Sequence, residues 1–307
     1  MMKQLISAAV LLICTTATAQ QYTIGHTSAE MKDTQRGNRK IRVEIYYPES
    51  KAKTVQNEDV VRAVRFPVIC FAHGYMMSPD VYGNIRKALV PEGFILVFPY
   101  TGTGMFPSHQ AFSEDLAFVL SATEKMAGDP GSPLYGITDT VFCLMGHSMG
   151  GGALFAAANI YKRAAAVIAL APLNSKPSAI KAAASVETPT LIIAGENDCI
   201  TPPGRNQIPI YDNSSASDKT FIMIMGGTHC GMADSSTVCT LIEKLSGCSK
   251  GISAEEQHQI VAKYLVPWLD YFLKGDMKAG KLFNMTMEGD AEVEYMRSHP
   301  LLTGCGR

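Results

Sequence analysis

Apolar residues along this chain fall into two rhythms. From Ile41 to Tyr47 apolar and charged side chains alternate, as in a half-exposed strand, and the pattern predicts a stop at Pro48. Further on, the alternation gives way to short unbroken apolar runs: Val68 to Ala72, Ile95 to Phe98, Val141 to Met145, Val167 to Leu170, Leu191 to Ala194 and Phe221 to Met225. Such runs predict strands buried on both faces of a parallel sheet. Segments of helix length lie between and after them, at Val81 to Val90, Phe112 to Met126, Gly150 to Tyr161 and Ser253 to Leu273. The last opens with Ser253-Ala254-Glu255-Glu256, a capping-box pattern, and Pro267 within it predicts a kink. Strands alternating with helices predict a doubly wound, mostly parallel α/β sheet flanked by helices, with its ligand site beyond the carboxyl ends of the strands. The polar stretch from Glu49 to Asp59 reads as a surface loop.

The N-terminus follows a different pattern. Met1-Met2-Lys3, the apolar run Leu5 to Ile13 and Ala17-Thr18-Ala19 have the three-part form of a secretory signal peptide. Residues 1–19 are therefore expected to be removed, leaving one large α/β domain over 20–280 and a tail over 281–307 of unassigned role. Lipid attachment at Cys14 is the alternative, disfavoured by the bulky Ile13 before it. No later stretch is long and apolar enough to span a bilayer, which predicts a secreted or periplasmic chain. Composition adds a large core, with 47% hydrophobic and 18% charged residues, and a net charge of -1. With no basic block, nucleic acid and anionic membranes are not expected partners; oligomeric state is not legible.

Outside Cys14, the odd set Cys70, Cys143, Cys199, Cys230, Cys239, Cys248 and Cys305 leaves at least one thiol without an intramolecular partner. Cys70 and Cys143 lie inside apolar runs and are expected as buried thiols; the other five lie in polar loops, where an oxidising compartment favours pairing.

Candidate chemistry centres on Gly146-His147-Ser148-Met149-Gly150, a G-x-S-x-G pentapeptide between the strand ending at Met145 and a small-residue helix. A sharp strand-to-helix turn there holds the serine out, and flanking glycines permit the close approach of strand and helix. A serine hydroxyl needs a base to remove its proton. This motif's fold, the α/β-hydrolase fold, places the acid and then the base downstream, after later strands. Asp198 follows the run ending at Ala194, and His229 follows the run ending at Met225. Of the other histidines, His26, His73, His109 and His147 precede or adjoin the serine, while His258 and His299 lie in the last helix and tail. Asp212 and Asp218 read as solvated turn residues. Oxyanion donors are expected from the Met149 N–H and, in His73-Gly74-Tyr75, from the Tyr75 N–H, with the Tyr75 ring beside the acyl group.

These residues resemble the bacterial cutinases and poly(ethylene terephthalate) hydrolases, within a broader group of chlorophyllase-like and dienelactone-hydrolase-like esterases. The similarity covers about Ile41 to Leu273 and rests on ordered matches: Gly74-Tyr75, the elbow Gly146 to Gly152, Glu196-Asn197-Asp198 with Pro202, Pro209-Ile210-Tyr211, and Gly226 to His229. The resemblance implies a serine carboxylic-ester hydrolase with Ser148 as nucleophile, His229 as base and Asp198 as its orienting acid. It implies an acyl-enzyme, no metal or organic cofactor, and short- to medium-chain or polymeric ester substrates.

The chain also departs from the pattern. Leu173 stands where those enzymes carry a tryptophan wall, so Leu173 is expected to line the substrate site without aromatic stacking. The cysteine-rich loop Cys230 to Ser249 and the tail differ as well. Some members clip the acid and base loops with a disulfide, which suggests a Cys199–Cys230 bridge here, with Cys239–Cys248 closing a small loop; a zinc site is the competing reading, but no C-x-x-C pair exists. About twenty residues between Leu170 and Leu191 are too few for a helical lid, so an open site is expected. Lipase and carbohydrate acyl esterase are alternative activities, and a non-catalytic ligand-binding protein is the non-enzymatic one.

Overall fold

In the computed structural model, which describes residues 22–50, 64–234 and 236–302, the chain opens with an antiparallel pair, β1 (Tyr22–Asp33) and β2 (Arg39–Ser50). Each of the six apolar runs then forms a parallel strand: β3 (Phe66–Ala72), β4 (Ile95–Tyr100), β5 (Thr138–His147), β6 (Ala166–Leu170), β7 (Thr190–Gly195) and β8 (Lys219–Ile224). A last strand, β9 (Val293–Arg297), pairs antiparallel with β8. The nine strands lie in the order β1-β2-β4-β3-β5-β6-β7-β8-β9, the mixed sheet of an α/β-hydrolase fold with a parallel centre and antiparallel edges.

Helices cover both faces and divide the apolar interior into two cores. One face holds α2 (His109–Ala127), α3 (Met149–Ile160), α4 (Ala179–Ala183) and α5 (Gln207–Asn213), packing Phe112, Leu154, Phe155 and Ile210 on Val68, Cys70 and Val97. The other holds α1 (Gly83–Leu89), α7 (Ala254–Lys274) and α8 (Met277–Met287), whose Trp268, Leu269 and Phe283 pack with Ile69, Phe71 and Cys143. Alternate residues of a strand point to opposite faces. Since Ile69 sits opposite Cys143 in the β3–β5 register, Cys70 turns to the far face. Both thiols are buried and free, as their apolar context predicts.

Four elements differ from the sequence pattern, each for a physical reason. Strand β2 runs past Pro48, because its pairing with β4 ends at Tyr46 and only β1 follows it further, so the missing N–H breaks no ladder on the β4 side. The edge strands β1 and β9 are mostly exposed and interleave polar with apolar residues, so neither produces an unbroken apolar run. Helix α8 begins before residue 281, and its Phe283 and Met287 are buried; residues 281–302 thus belong to the core and the sheet edge rather than to a separate tail. Pro267 lies inside α7, which continues to Lys274, and Ser253 caps that helix by accepting from the Glu256 N–H at 3.1 Å. The connection between β6 and β7 carries only the five-residue α4. The expected signal peptide and Cys305 lie outside the described residues.

The disulfides also depart from expectation. The bridges are Cys199–Cys248 and Cys230–Cys239, with Cα separations of 5.5 and 5.7 Å. The expected Cys239–Cys248 bridge fails because α6 (Thr237–Leu245) intervenes: about 9 Å of helical rise separates Cys239 from Leu245 alone, beyond disulfide reach. Cys199 and Cys230 are each joined to the segment that carries α6 and its end instead of to one another. Non-reducing peptide mapping by mass spectrometry is expected to recover these two linked pairs, with Cys70 and Cys143 resisting alkylation until the protein is denatured; a Cys199–Cys230 peptide would contradict this topology.

Candidate active site

The site is built around a backbone that changes direction between β5 and α3. His147 ends the strand, Met149 begins the helix, and Ser148 between them has φ 56° and ψ -118°. For a residue with a side chain this conformation costs about 1–3 kcal/mol, so the surroundings must impose it. The Ser148 N–H donates to the Leu170 carbonyl at 2.9 Å, while its own carbonyl accepts from Gly152 and Leu173 at 3.0 and 2.9 Å. Glycine is required alongside: a Cβ on Gly150 would stand 2.3 Å from the Ala72 oxygen, and one on Gly152 1.9 Å from the Leu173 oxygen. The glycines let the first turn of α3 press against the ends of neighbouring strands.

Three loops at the carboxyl edge of the sheet bring Ser148, His229 and Asp198 into contact. His229 Nε2 lies 2.8 Å from Ser148 Oγ, and its Nδ1 lies 2.8 Å from Asp198 Oδ2. All three residues are buried. With the proton on Nδ1 donated to Asp198, Nε2 accepts the serine hydroxyl, the arrangement in which imidazole can act as a base. Burial pushes the Asp198 carboxyl up, but hydrogen bonds from His229 and from Thr201 outweigh it and hold the acid below its ordinary value.

Two further residues complete this corner. The Thr201 hydroxyl donates to Asp198 Oδ2 at 2.8 Å, and its N–H reaches Oδ1 at 2.7 Å. The Gln207 amide donates to Asp198 Oδ2 at 3.2 Å and to the Thr201 carbonyl at 2.7 Å. Sequence reasoning passed over both, because a threonine and a glutamine in a polar turn carry no signal of their own; the turn after Asp198 that presents two amides to its carboxylate was the available clue.

Opposite these three residues, the loop after β3 carries Tyr75, the residue whose N–H is the candidate oxyanion donor. A Cβ on Gly74 would stand 3.4 Å from the Ser148 Cβ, so this loop lies against the serine. Among the described residues, neither the Tyr75 nor the Met149 N–H is taken up by another protein group. The Tyr75 ring is exposed and its hydroxyl donates to the Met105 carbonyl at 2.7 Å. Leu173 is half-buried and fixed through its amide to the Ser148 carbonyl.

Two buried histidines hold this side in place. His73 spans the Gly74 and Thr101 carbonyls at 2.8 and 2.7 Å, joining the loops that follow β3 and β4. Thr101 in turn donates to the buried Asp115, which is paired with Arg39 at 2.7 Å. His147 lies behind the base, its ring centroid 4.8 Å from that of His229. Its Nδ1 is 3.0 Å from the Tyr82 hydroxyl, which also accepts the Gly74 N–H at 2.8 Å. Burial, reinforced by the neighbouring His229, holds the His147 ring well below the ordinary histidine value, so it stays neutral. Tyr82 and His147 thereby tie the loop after β3 to the ground beneath His229.

A groove of about 880 Å³, lined among others by Asp33, Arg36, Glu114, Glu124 and Arg163, lies away from Ser148. Several of its charges are paired with one another, Arg36 with Asp33 and Glu114, and Arg163 with Glu124. Its size does not make it the chemical site, for which the converging Ser148, His229 and Asp198 are the better marker. Among the described residues, no group of three or more His, Cys, Asp or Glu side chains has the arrangement of a metal site.

A family model described as PETase, PET hydrolase-like, matches residues 43–296 of the chain. The chain is 24% identical over 237 residues to a bis(hydroxyethyl) terephthalate hydrolase of Streptomyces coelicolor, covering 76% of this chain and 63% of that protein. It is 28% identical over 218 residues to Cutinase 2 of Thermobifida cellulosilytica, covering 69% of this chain and 71% of the relative. The same identity and length hold for Cutinase cut1 of Thermobifida fusca, of which 58% is covered. The matched region thus spans less than two thirds of the first and third of these relatives.

The electrostatics of the site make two expectations. Asp198 is held below its ordinary value of 3.8, so the stability it contributes is complete above that value and is lost as pH falls through its folded value. Asp198→Asn should lower kcat/KM at pH 7 by about 10⁴-fold, measured with a soluble ester, by removing the charge that orients His229. For His147 the sign is opposite in origin: below 6.5 the unfolded ring binds a proton that the folded ring refuses, so stability declines as pH drops from there toward the folded value. Urea midpoints between pH 8 and pH 4.5 should fall less steeply in His147→Asn than in the parent protein, and parallel curves would show that His147 does not carry this dependence.

Proposed function

We propose that this chain, which belongs to the PET hydrolase-like family, is an exported serine hydrolase of carboxylic esters acting through an acyl-enzyme. The observation that carries the reading is the continuous contact from Ser148 Oγ to His229 Nε2 and from His229 Nδ1 to Asp198, 2.8 Å at each step, at a serine held with φ 56°. Ser148 Oγ attacks the ester carbonyl as His229 takes its proton, and the resulting imidazolium is stabilised by Asp198. The tetrahedral oxyanion is held by the Tyr75 and Met149 amides. Collapse expels the alcohol, which leaves with the proton from His229. Water, activated by the same ring, then releases the acid and restores Ser148.

Several features shape the substrate. The relatives named above are called cutinases and a bis(hydroxyethyl) terephthalate hydrolase, so esters of bulky or polymeric compounds are the natural starting class. The short β6–β7 connection leaves the site uncovered from that side. Leu173 supplies an aliphatic wall with no ring for stacking, which favours aliphatic over aromatic acyl groups. Export is supported by the signal-like residues 1–19 and by two disulfides, which persist in oxidising compartments.

The test compares the mature protein with its Ser148→Ala variant on p-nitrophenyl acetate, butyrate, octanoate and palmitate. Hydrolysis of the short and medium esters is expected to fall by at least about 10⁴-fold in the variant, with fluorophosphonate labelling abolished. Equal rates in both proteins would remove Ser148 as nucleophile, and an inert, unlabelled parent would favour a binding protein.

A further inference from the structure

Helix α6 presents an apolar stripe to solvent. Val238, Leu241, Ile242 and Leu245 are 38%, 54%, 36% and 79% exposed. Their spacing, i, i+3, i+4 and i+7, is the spacing of one helix face. A surface helix ordinarily turns such a face inward. Here the attached face is a different one: Cys239 is buried in its bridge to Cys230, and Glu243, one turn on, accepts the Cys230 N–H at 2.8 Å.

A helix of nine residues has little stability of its own. Covalent tethers hold this one, at Cys239 and just beyond its end at Cys248, and both lead to the site. Cys230 directly follows His229, and Cys199 directly follows Asp198. The stripe is therefore fixed relative to Ser148. On the opposite flank, Met105 and Phe106 are 62% and 94% exposed, and the Tyr75 hydroxyl fastens the Met105 carbonyl. Strand order sets the spacing. The loop with Phe106 follows β4, two strands from β5 on one side, and α6 follows β8, three strands away on the other. At about 4.8 Å per strand these apolar groups stand roughly 10 and 15 Å to either side of the serine, both beyond the carboxyl ends of the strands.

We propose that α6, together with Phe106, is an adsorption surface that settles the enzyme on a solid, uncharged aliphatic polyester. The proposal rests on the ester-hydrolase reading and adds to it the physical form of the substrate. Charge favours this occupant over an anionic membrane, because α6 carries one Glu and one Lys and lacks the basic face of a membrane-bound helix. Area favours it over a second copy of the chain, since four side chains fall far short of the roughly 20–30 residues a side in a stable dimer. A flat apolar solid requires no shape complementarity from its partner, so a short rigid stripe is sufficient.

The experiment measures adsorption isotherms on polycaprolactone particles using Ser148→Ala protein, so that binding is read without turnover. Adding Leu241→Gln and Leu245→Gln is expected to weaken adsorption at least tenfold, while the same pair in the active protein leaves kcat/KM for dissolved p-nitrophenyl butyrate within twofold. Phe106→Ser, in an exposed loop outside the disulfide-bonded insertion, should weaken adsorption in the same direction and serves if the double variant does not fold. Unchanged adsorption in both variants overturns the proposal. So does tighter binding to anionic lipid vesicles than to the particles, or a dimer in sedimentation that the double variant dissociates. Failure of the ester-hydrolase reading would appear separately, as a parent protein inert toward the dissolved ester.

Discussion

Everything at this site depends on one backbone constraint, the reversal of direction at Ser148. A residue with φ 56° and ψ -118° does not hold that conformation by its own preference. Three hydrogen bonds and two glycine contacts impose it: Leu170 of β6, Leu173 after β6 and Gly152 of α3 make the hydrogen bonds, while Ala72 at the end of β3 and Leu173 press on the two glycines. The serine position is thus a property of the packed sheet, transmitted through backbone atoms that cannot change rotamer. The same contacts explain why the α3 end of the turn is so poor in side chains, since Gly150 and Gly152 each occupy space that a Cβ would take from a carbonyl oxygen.

The polar groups around this turn divide into a charged half and a neutral half. On the acid side, His229, Thr201 and Gln207 all direct donors at Asp198, so its carboxylate is buried without being left uncompensated. On the oxyanion side, His147 and Tyr82 are buried and uncharged, and they support the loop through the Gly74 amide. In the proposed mechanism, a second cation beside His229 would oppose the imidazolium formed as Ser148 attacks. Keeping His147 neutral removes that repulsion, and burial is the means by which it is kept neutral.

How much of this could be read from the sequence depended on whether a feature was local. The parallel strands were legible because burial on both faces leaves an unbroken apolar run, and the elbow because a strand, a G-x-S-x-G pentapeptide and a small-residue helix are contiguous. Asp198 and His229 followed from chain order. The edge strands β1 and β9 were not legible, because a strand with one neighbour and one wet face has no continuous apolar pattern. Thr201, Gln207 and Tyr82 were missed for another reason: their importance lies in contacts across 3 to 65 residues of sequence, and their residue types are common in turns and cores. Disulfide pairing failed on geometry, since adjacency of Cys199 to Asp198 and of Cys230 to His229 suggested a direct bridge that an intervening helix replaced.

That replacement changes what the bridges do. A direct link would join the acid loop to the base loop and nothing else. With Cys199 bonded to Cys248 and Cys230 to Cys239, both loops are anchored to the same insertion, so restraining α6 restrains both partners of Ser148 together. In the chain-entropy view, closing loops of 49 and 9 residues limits the unfolded chain by about 4 and about 2.5 kcal/mol, less than additively because one loop lies inside the other. The segment itself buries little apolar surface, since Cys239 is the buried residue of α6. The covalent energy is therefore concentrated where the core cannot reach, in the two loops whose 2.8 Å contacts complete the site and in the short helix that carries an apolar face beside them.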